Sequence, residues 1–265
     1  MRKPLRWLLL FTIVHFFGIM QMQCCCSLTN LKRINNLIIH KFEYPSLVRV
    51  DGAGPRHYIT PTGENLPSVT TILDKTKSEE KKQILQDWKD SVGEKRSKEI
   101  VTEAANRGTR MHAYLERYIA GETLKEKVAN PYAQESLDMA KTVIKTGFVN
   151  VDEFWGSEVQ LYFPRVYAGT TDCVGVHNNI PSIIDFKQTN KPKKREYIED
   201  YFLQLCLYAT AHNELYGTKI QRGVIMMCDP KCVYQEFVIE GSEWKYYEGI
   251  MWDRLIQYYE QLEKS

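Results

Sequence analysis

A strong excess of charge of one sign is missing from this 265-residue chain: 35 Lys and Arg stand against 33 Asp and Glu, for a net charge of +2. Net charge therefore makes no case for nucleic acid, and any such case must rest on local clustering. A secreted disulfide framework is missing too. The seven cysteines are odd in number, Cys24, Cys25 and Cys26 are adjacent, and the others are scattered, which suits a reduced compartment. Cys228 and Cys232 lack the spacing expected of iron–sulfur ligands, and free thiols are the better reading. No apolar run clearly reaches the about 20 residues a membrane-spanning helix needs. The run from Trp7 to Met20 follows Arg2, Lys3 and Arg6, and no Asp or Glu occurs before Glu43. That pattern fits a signal peptide or anchor, an organelle transit peptide, or a start assigned too far upstream, and it does not choose among them. Membrane association rests on this segment alone. What is present is ordinary globular composition, 43% hydrophobic and 26% charged, so disorder is not expected. Residues 1–40 are expected to be an extension and 41–265 the folded domain.

Short extended pieces broken by the turn Asp51–Pro55 are expected between Phe42 and Tyr58, with a second turn at Pro61–Glu64. Ser68 caps a short helix, and a charged amphipathic helix should cover 78–98. A further helix is predicted over 98–120; Gly108 in its interior costs about 1 kcal/mol relative to Ala, so either the helix restarts there or something approaches the backbone closely. Another helix is expected over 131–146. The period then changes to two, predicting strands over 155–164, 167–177 and 180–187, with a hairpin turn at Asn178-Asn179. A helix over 197–216, strands over 223–228 and 233–239, and a helix over 242–263 complete an α/β (α+β) order: a central mixed sheet flanked by helices.

The densest chemistry lies on two neighbouring strands. Asp185 and Lys187 are i and i+2 and share a face, and a hairpin can bring Asp172 beside Asp185. Two carboxylates on one wall repel unless a cation lies between them. A hard divalent ion with oxygen ligands resolves this, and a lysine alongside can orient water or neutralise charge on a phosphate. By itself D-x-K is also common at strand ends with a solvated lysine; Ile183 and Ile184 before Asp185 make an unpaired carboxylate costly there. His112 and Glu116 share a helix face, as do Gln204 and Tyr208. Lys191, Lys193, Lys194 and Arg195 form a basic loop after the D-F-K strand that could grip a phosphate backbone or simply be solvated. Arg107 and Arg110 flank Gly108-Thr109 and could do similar work. Tyr114, Tyr118, Phe202 and Tyr208 could stack on bases or belong to the core.

The ordered set G-T-x-x-H-x-x-x-E (Gly108 to Glu116), Glu158, G-x-x-D (Gly169 to Asp172), D-F-K (Asp185 to Lys187) and Q-x-x-x-Y (Gln204 to Tyr208) resembles the RecB-type exonuclease branch of the PD-(D/E)XK superfamily. Within it, the run from Ile183 to Gly217 is similar to phage-encoded exonucleases and to the mitochondrial genome maintenance exonucleases. Gln188-Thr189 and Asp200-Tyr201-Phe202 depart from the mitochondrial pattern toward the phage-like group. The resemblance covers about residues 42–240 and implies a restriction-endonuclease-like core and a metal-dependent DNA exonuclease acting on single-stranded or processed ends. A structure-specific endonuclease and a non-catalytic DNA-binding module are the alternatives. The resemblance further implies Asp172, Asp185, Lys187 and Glu158 as catalytic, and His112, Asp172, Asp185 and the Phe186 carbonyl as ligands of Mg²⁺, with Mn²⁺ able to substitute. Gln204 and Tyr208 would hold the DNA backbone, assisted by Thr109, Arg107, Arg110, Lys191, Lys193 and Lys194, and Glu116 would support His112. DNA is the expected partner, with no obligate protein partner. An intracellular setting, in a bacterium or a phage-infected host, is expected, with mitochondrial placement or anchoring through residues 7–20 as alternatives.

Overall fold

The structure, a computed structural model, describes residues 37–52 and 54–264. The Trp7–Met20 run and Cys24–Cys26 lie outside the described residues. Among the described residues no helix is long and apolar enough to cross a membrane.

Period-two patterning in the middle of the chain produces three long strands: β4 (Val151–Phe163), β5 (Tyr167–His177) and β6 (Ile180–Gln188). Asn178 and Asn179 have φ of 49° and 63°, the left-handed pair that a two-residue hairpin demands. β6 continues through α5 (Glu199–Tyr216) into β7 (Arg222–Cys228), which lies parallel to it, and β8 (Tyr234–Glu240) returns antiparallel on the outer edge. The five-stranded sheet has the order β4-β5-β6-β7-β8 and is mixed. Every position of β7 is buried, as expected of a strand with both faces covered.

One face carries α1 (Val69–Lys75), α5 and α6 (Gly241–Glu263), packing Val174, Ile183 and Ile225 against Phe202 and Trp244. The other carries α3 (Glu94–Ile119) and α4 (Pro131–Thr146), packing Ile184, Phe186 and Met226 against Met111, Leu115 and Val143. Between α1 and α3 lies α2 (Glu79–Val92), which has no buried residue. The division between α2 and α3 falls at Gly93, φ 83°, and not near residue 98, because glycine adopts this conformation without steric cost. α3 runs unbroken through Gly108. A Cβ there would lie 3.2 Å from Gln188 Cγ, so the glycine admits a close approach of β6 to the helix.

Before α1, β1 (Val48–Val50), β2 (His57–Ile59) and β3 (Asn65–Pro67) form a small antiparallel sheet. It is fastened to β5 by a Ser68–Ala168 bridge and by the Tyr58 hydroxyl, 3.3 Å from Thr170 Oγ1. Leu37 N–H donates to the Ile119 carbonyl at 3.0 Å and Ile38 bridges Phe154, tying this segment to α3 and β4.

Candidate active site

Strand register brings three carboxylates into one row. Ser157 pairs with Cys173 and Val159 with Thr171, so Glu158 stands across from Asp172. On the other side, Cys173 pairs with Ile184 as the last rung of the β5–β6 ladder. One step further Asp172 faces Asp185, and there the strands part. The Phe186 N–H, which a continued ladder would have used, donates instead to Asp172 Oδ2 at 2.6 Å. Glu158 has φ of 51°, a left-handed backbone rare for a residue with a Cβ; such strain persists only where the surroundings enforce it.

From α3, His112 places Nδ1 3.4 Å from Asp172 Oδ1. One ligand atom each from His112, Glu158 and Asp172 lie within 4.8 Å of one another. Asp185, almost fully buried, is engaged by Lys187, whose Nζ lies 2.5 Å from Oδ2. That contact is ionic and poorly directed, and Oδ2 has no well-aligned donor. Lys187 Nζ also sits 5.0 Å from the centre of the Tyr201 ring, a favourable position for a cation. On α5, Gln204 Nε2 donates to the Tyr208 hydroxyl at 3.3 Å. A Cβ on Gly169 would come within 2.8 Å of the Tyr208 ring, so this glycine lets Tyr208 lie against β5 beside Asp172.

The electrostatics are those of crowded like charges. Burial, then Asp172 and Glu116, push the Glu158 carboxyl up to about 7. Burial raises Asp185 to about 6, with Lys187 opposing and Asp172 adding to the rise. For His112, burial is overridden by Asp172, and the imidazole is raised to about 9. Burial also disfavours the Lys187 ammonium, but Asp185 and Asp172 prevail and hold it above its usual value. At Asp172 burial is outweighed by His112, Lys187 and the Phe186 N–H, which hold its carboxyl below the usual value, while Glu158 and Asp185 are raised. Three crowded carboxylates and one imidazole are a donor set suited to a hard divalent cation. His112, Glu158 and Asp172 are the convergent groups, with Asp185 one rung away.

A cleft of about 320 Å³ opens over these groups, and Thr109, Gln204 and Tyr208 line it. Glu116 lines it as well, and its side chain interacts with Glu158. The basic residues expected at the substrate behave differently. Arg107 is 6% exposed and turned inward, with Nη1 donating to Asn190 Oδ1 at 2.8 Å and Nε 2.7 Å from Glu135 Oε1. A buried guanidinium needs such partners, and these tie α3 to α4 and to the end of β6. Arg110 donates to Ser136 Oγ at 3.2 Å. The Lys191–Arg195 loop is drawn toward β8: Lys193 N–H donates to Gln235 Oε1 at 2.7 Å, Arg195 pairs with Glu243 at 2.6 Å, and Lys194 lies 3.6 Å from Glu196. Lys191, Lys193 and Lys194 are not on the cleft wall. Phe202 belongs to the core, and Cys228 and Cys232 are free thiols. Two arginines that the sequence reading passed over, Arg49 and Arg56, do line the cleft. Their placement on either side of the Asp51–Pro55 turn was the signal available.

Mitochondrial genome maintenance exonuclease 1 of Homo sapiens is 30% identical over 172 residues, covering 61% of this chain and 48% of the relative. The protein of the same name from Xenopus tropicalis is 28% identical over 175 residues, covering 61% and 48%. The chain thus spans about half the length of the curated relatives it matches. No family model matches it. A solved structure from Eubacterium rectale superposes with a TM-score of 0.43 at 9% identity, covering 59% of this chain and 67% of that one, too loosely to carry weight. The ordered motifs, the mixed sheet that displays them and the two relatives together support a nuclease of the PD-(D/E)XK type.

Proposed function

We propose that the chain hydrolyses phosphodiester bonds of DNA as a metal-dependent exonuclease working from single-stranded or processed ends. The observation that carries this reading is the convergence of His112, Glu158 and Asp172 beside the Asp185–Lys187 pair, at the mouth of a polar cleft. His112, Glu158 and Asp172 would hold a divalent ion, Mg²⁺ or Mn²⁺, with Asp185 and the Phe186 carbonyl as further candidates. When bound, such an ion supplies positive charge to a phosphoryl centre and acidifies water at neutral pH.

The chain's own groups prepare the rest. Lys187 keeps its proton, held by Asp185 and Asp172, and so serves as a cation and hydrogen-bond donor that orients water and neutralises developing charge. Asp172 fixes the Phe186 N–H and thereby the fork that keeps β5 and β6 apart. Gln204 and Tyr208 hold the DNA backbone on the α5 side of the cleft. The exonuclease names of the relatives support the reaction class. Their mitochondrial naming supports the mitochondrial placement; the location of a fluorescent protein fused to the full chain tests it.

The decisive assay is end-labelled linear DNA against covalently closed circular DNA, with and without EDTA. Loss of the linear substrate alone, blocked by EDTA, is expected. Cutting of the closed circle would shift the reading to an endonuclease, and cleavage unaffected by EDTA would overturn the metal dependence.

A further inference from the structure

The wall of the cleft facing the carboxylate row is the β1–β2 hairpin, and it carries a matched pair of arginines. Arg49 ends its side chain with Nε 2.7 Å from Asp51 Oδ2, and Arg56 with Nε 2.7 Å from Asp51 Oδ1. One carboxylate thus holds two guanidiniums by their inner edges and cancels only one of two charges. Among the described residues neither guanidinium has a partner besides Asp51, and these contacts leave the outer Nη edges unused. Those edges are the fork that binds a phosphate in two-point fashion.

The residues around both arginines are anchored to the rest of the site. Arg49 sits opposite Tyr58 in the β1–β2 register, and Tyr58 is buried with its hydroxyl against Thr170, two residues from Asp172. The Arg56 carbonyl accepts from Ser68 N–H at 3.1 Å and from Thr71 Oγ1 at 2.9 Å. Arg56 also stands where the catalytic cleft meets a second, more open groove of about 620 Å³. Arg56, Thr70 and Gln204 line both. A chain molecule leaving the carboxylate row along this path passes directly over the arginine pair.

We infer that Arg49 and Arg56, oriented by Asp51, form a clamp for a non-scissile backbone phosphate of the bound strand. This rests on the nuclease reading above and adds to it where the strand leaves the cleft. Both arginines are part-exposed, and both line the cleft that holds His112, Glu158 and Asp172.

The test is binding of a fluorescently labelled single-stranded oligonucleotide to the full chain in EDTA, followed by anisotropy between about 50 and about 200 mM salt. Each backbone contact on a single strand contributes roughly 0.7 to the slope of log affinity against log salt. Arg49→Gln with Arg56→Gln should remove the one clamped phosphate from the count, flatten the slope by about 0.7 and weaken binding by about tenfold or more at the lowest salt. Arg49→Lys with Arg56→Lys should restore most of the slope, because charge is retained. In cleavage assays the Gln pair should raise KM more than it lowers kcat. Melting temperatures close to that of the parent would show that the hairpin is intact. An unchanged slope in the Gln pair, or no rescue by the Lys pair, while the parent cleaves labelled DNA, would overturn the clamp alone. A parent that cleaves no DNA would bring down the nuclease reading and the clamp with it.

Discussion

Two groups of buried polar side chains occupy the five-stranded sheet, one where β5 and β6 fork and one at the hairpin end of β5, and they are solved in opposite ways. At the hairpin end, fully buried His177 has Nε2 3.4 Å from Glu236 Oε1, and the Tyr234 hydroxyl donates to the same carboxylate at 2.7 Å. Arg222 pairs with Glu240 and reaches His177 Nδ1 at 3.5 Å. Burial works against the Glu236 carboxylate, yet His177 and Tyr234 keep its pKa below the usual value. At the fork the carboxylates face one another, and Glu158 and Asp185 are pushed up to about 7 and about 6. Complementary charges at one end hold strands together. Like charges at the other end are destabilising unless a cation joins them, which is the observation behind the metal-binding reading of the fork.

This contrast can be broken at either end. The largest expected effect is on chemistry: Asp172→Asn or Asp185→Asn should lower DNA cleavage by about 10²–10³-fold, while His177→Leu leaves cleavage per folded molecule unchanged. A cleavage time course on purified variants checks this, and a full-rate Asp185→Asn would remove the catalytic reading. Next is metal linkage. Mn²⁺ at about 100 times its dissociation constant should stabilise the parent by about 2.7 kcal/mol, seen as a rise in melting temperature. The rise should vanish in His112→Ala and persist in His177→Leu.

At the hairpin end, His177→Leu should cost about 2 kcal/mol in urea unfolding, since the Glu236 carboxylate loses the imidazole that stands 3.4 Å from it. A neutral result there would mean that the complementary network contributes no more than an apolar replacement. The smallest effect concerns Glu158 in the absence of metal. Its folded carboxyl is raised to about 7 from an ordinary value of 4.5. The associated stability is therefore complete below the unfolded value and is lost as pH rises through about 7. Glu158→Gln in EDTA should flatten that part of the melting-temperature profile, with a higher melting temperature than the parent above pH 7 and little difference below pH 4.5. A parent profile without this decline would contradict the crowding described at the fork.

Much of the architecture was legible because it is local. Asn178-Asn179 specifies a left-handed turn wherever it occurs between alternating strands, and Ser68 caps α1 through its own hydroxyl, which accepts from Thr71 N–H at 3.0 Å. Asp185 with Lys187, and Gln204 with Tyr208, could be paired from spacing because strand and helix periods dictate a shared face. Other placements depended on distant chain segments. Glu116 sits on the face of α3 expected for a partner of His112, yet β4 brings Glu158 to it. Arg107 looked like a substrate-facing arginine beside a glycine, but Glu135 and Asn190, far along the chain, capture it inside. The basic loop after β6 was expected at the substrate, and Gln235 and Glu243 draw it to β8 and α6 instead.

By itself the sequence determined the periods, the turns and the identity of the charged groups on each strand, since these follow from neighbours within a few residues. It thereby determined that Asp172 and Asp185 would meet across a hairpin. Only the tertiary structure decided which charges face one another across separate elements. Register set Glu158 opposite Asp172, burial turned Arg107 inward, and the docking of a small N-terminal sheet on β5 put Arg49 and Arg56 on the wall of the cleft. Coulomb interactions act through space, so side chains more than a hundred residues apart can settle one another's roles.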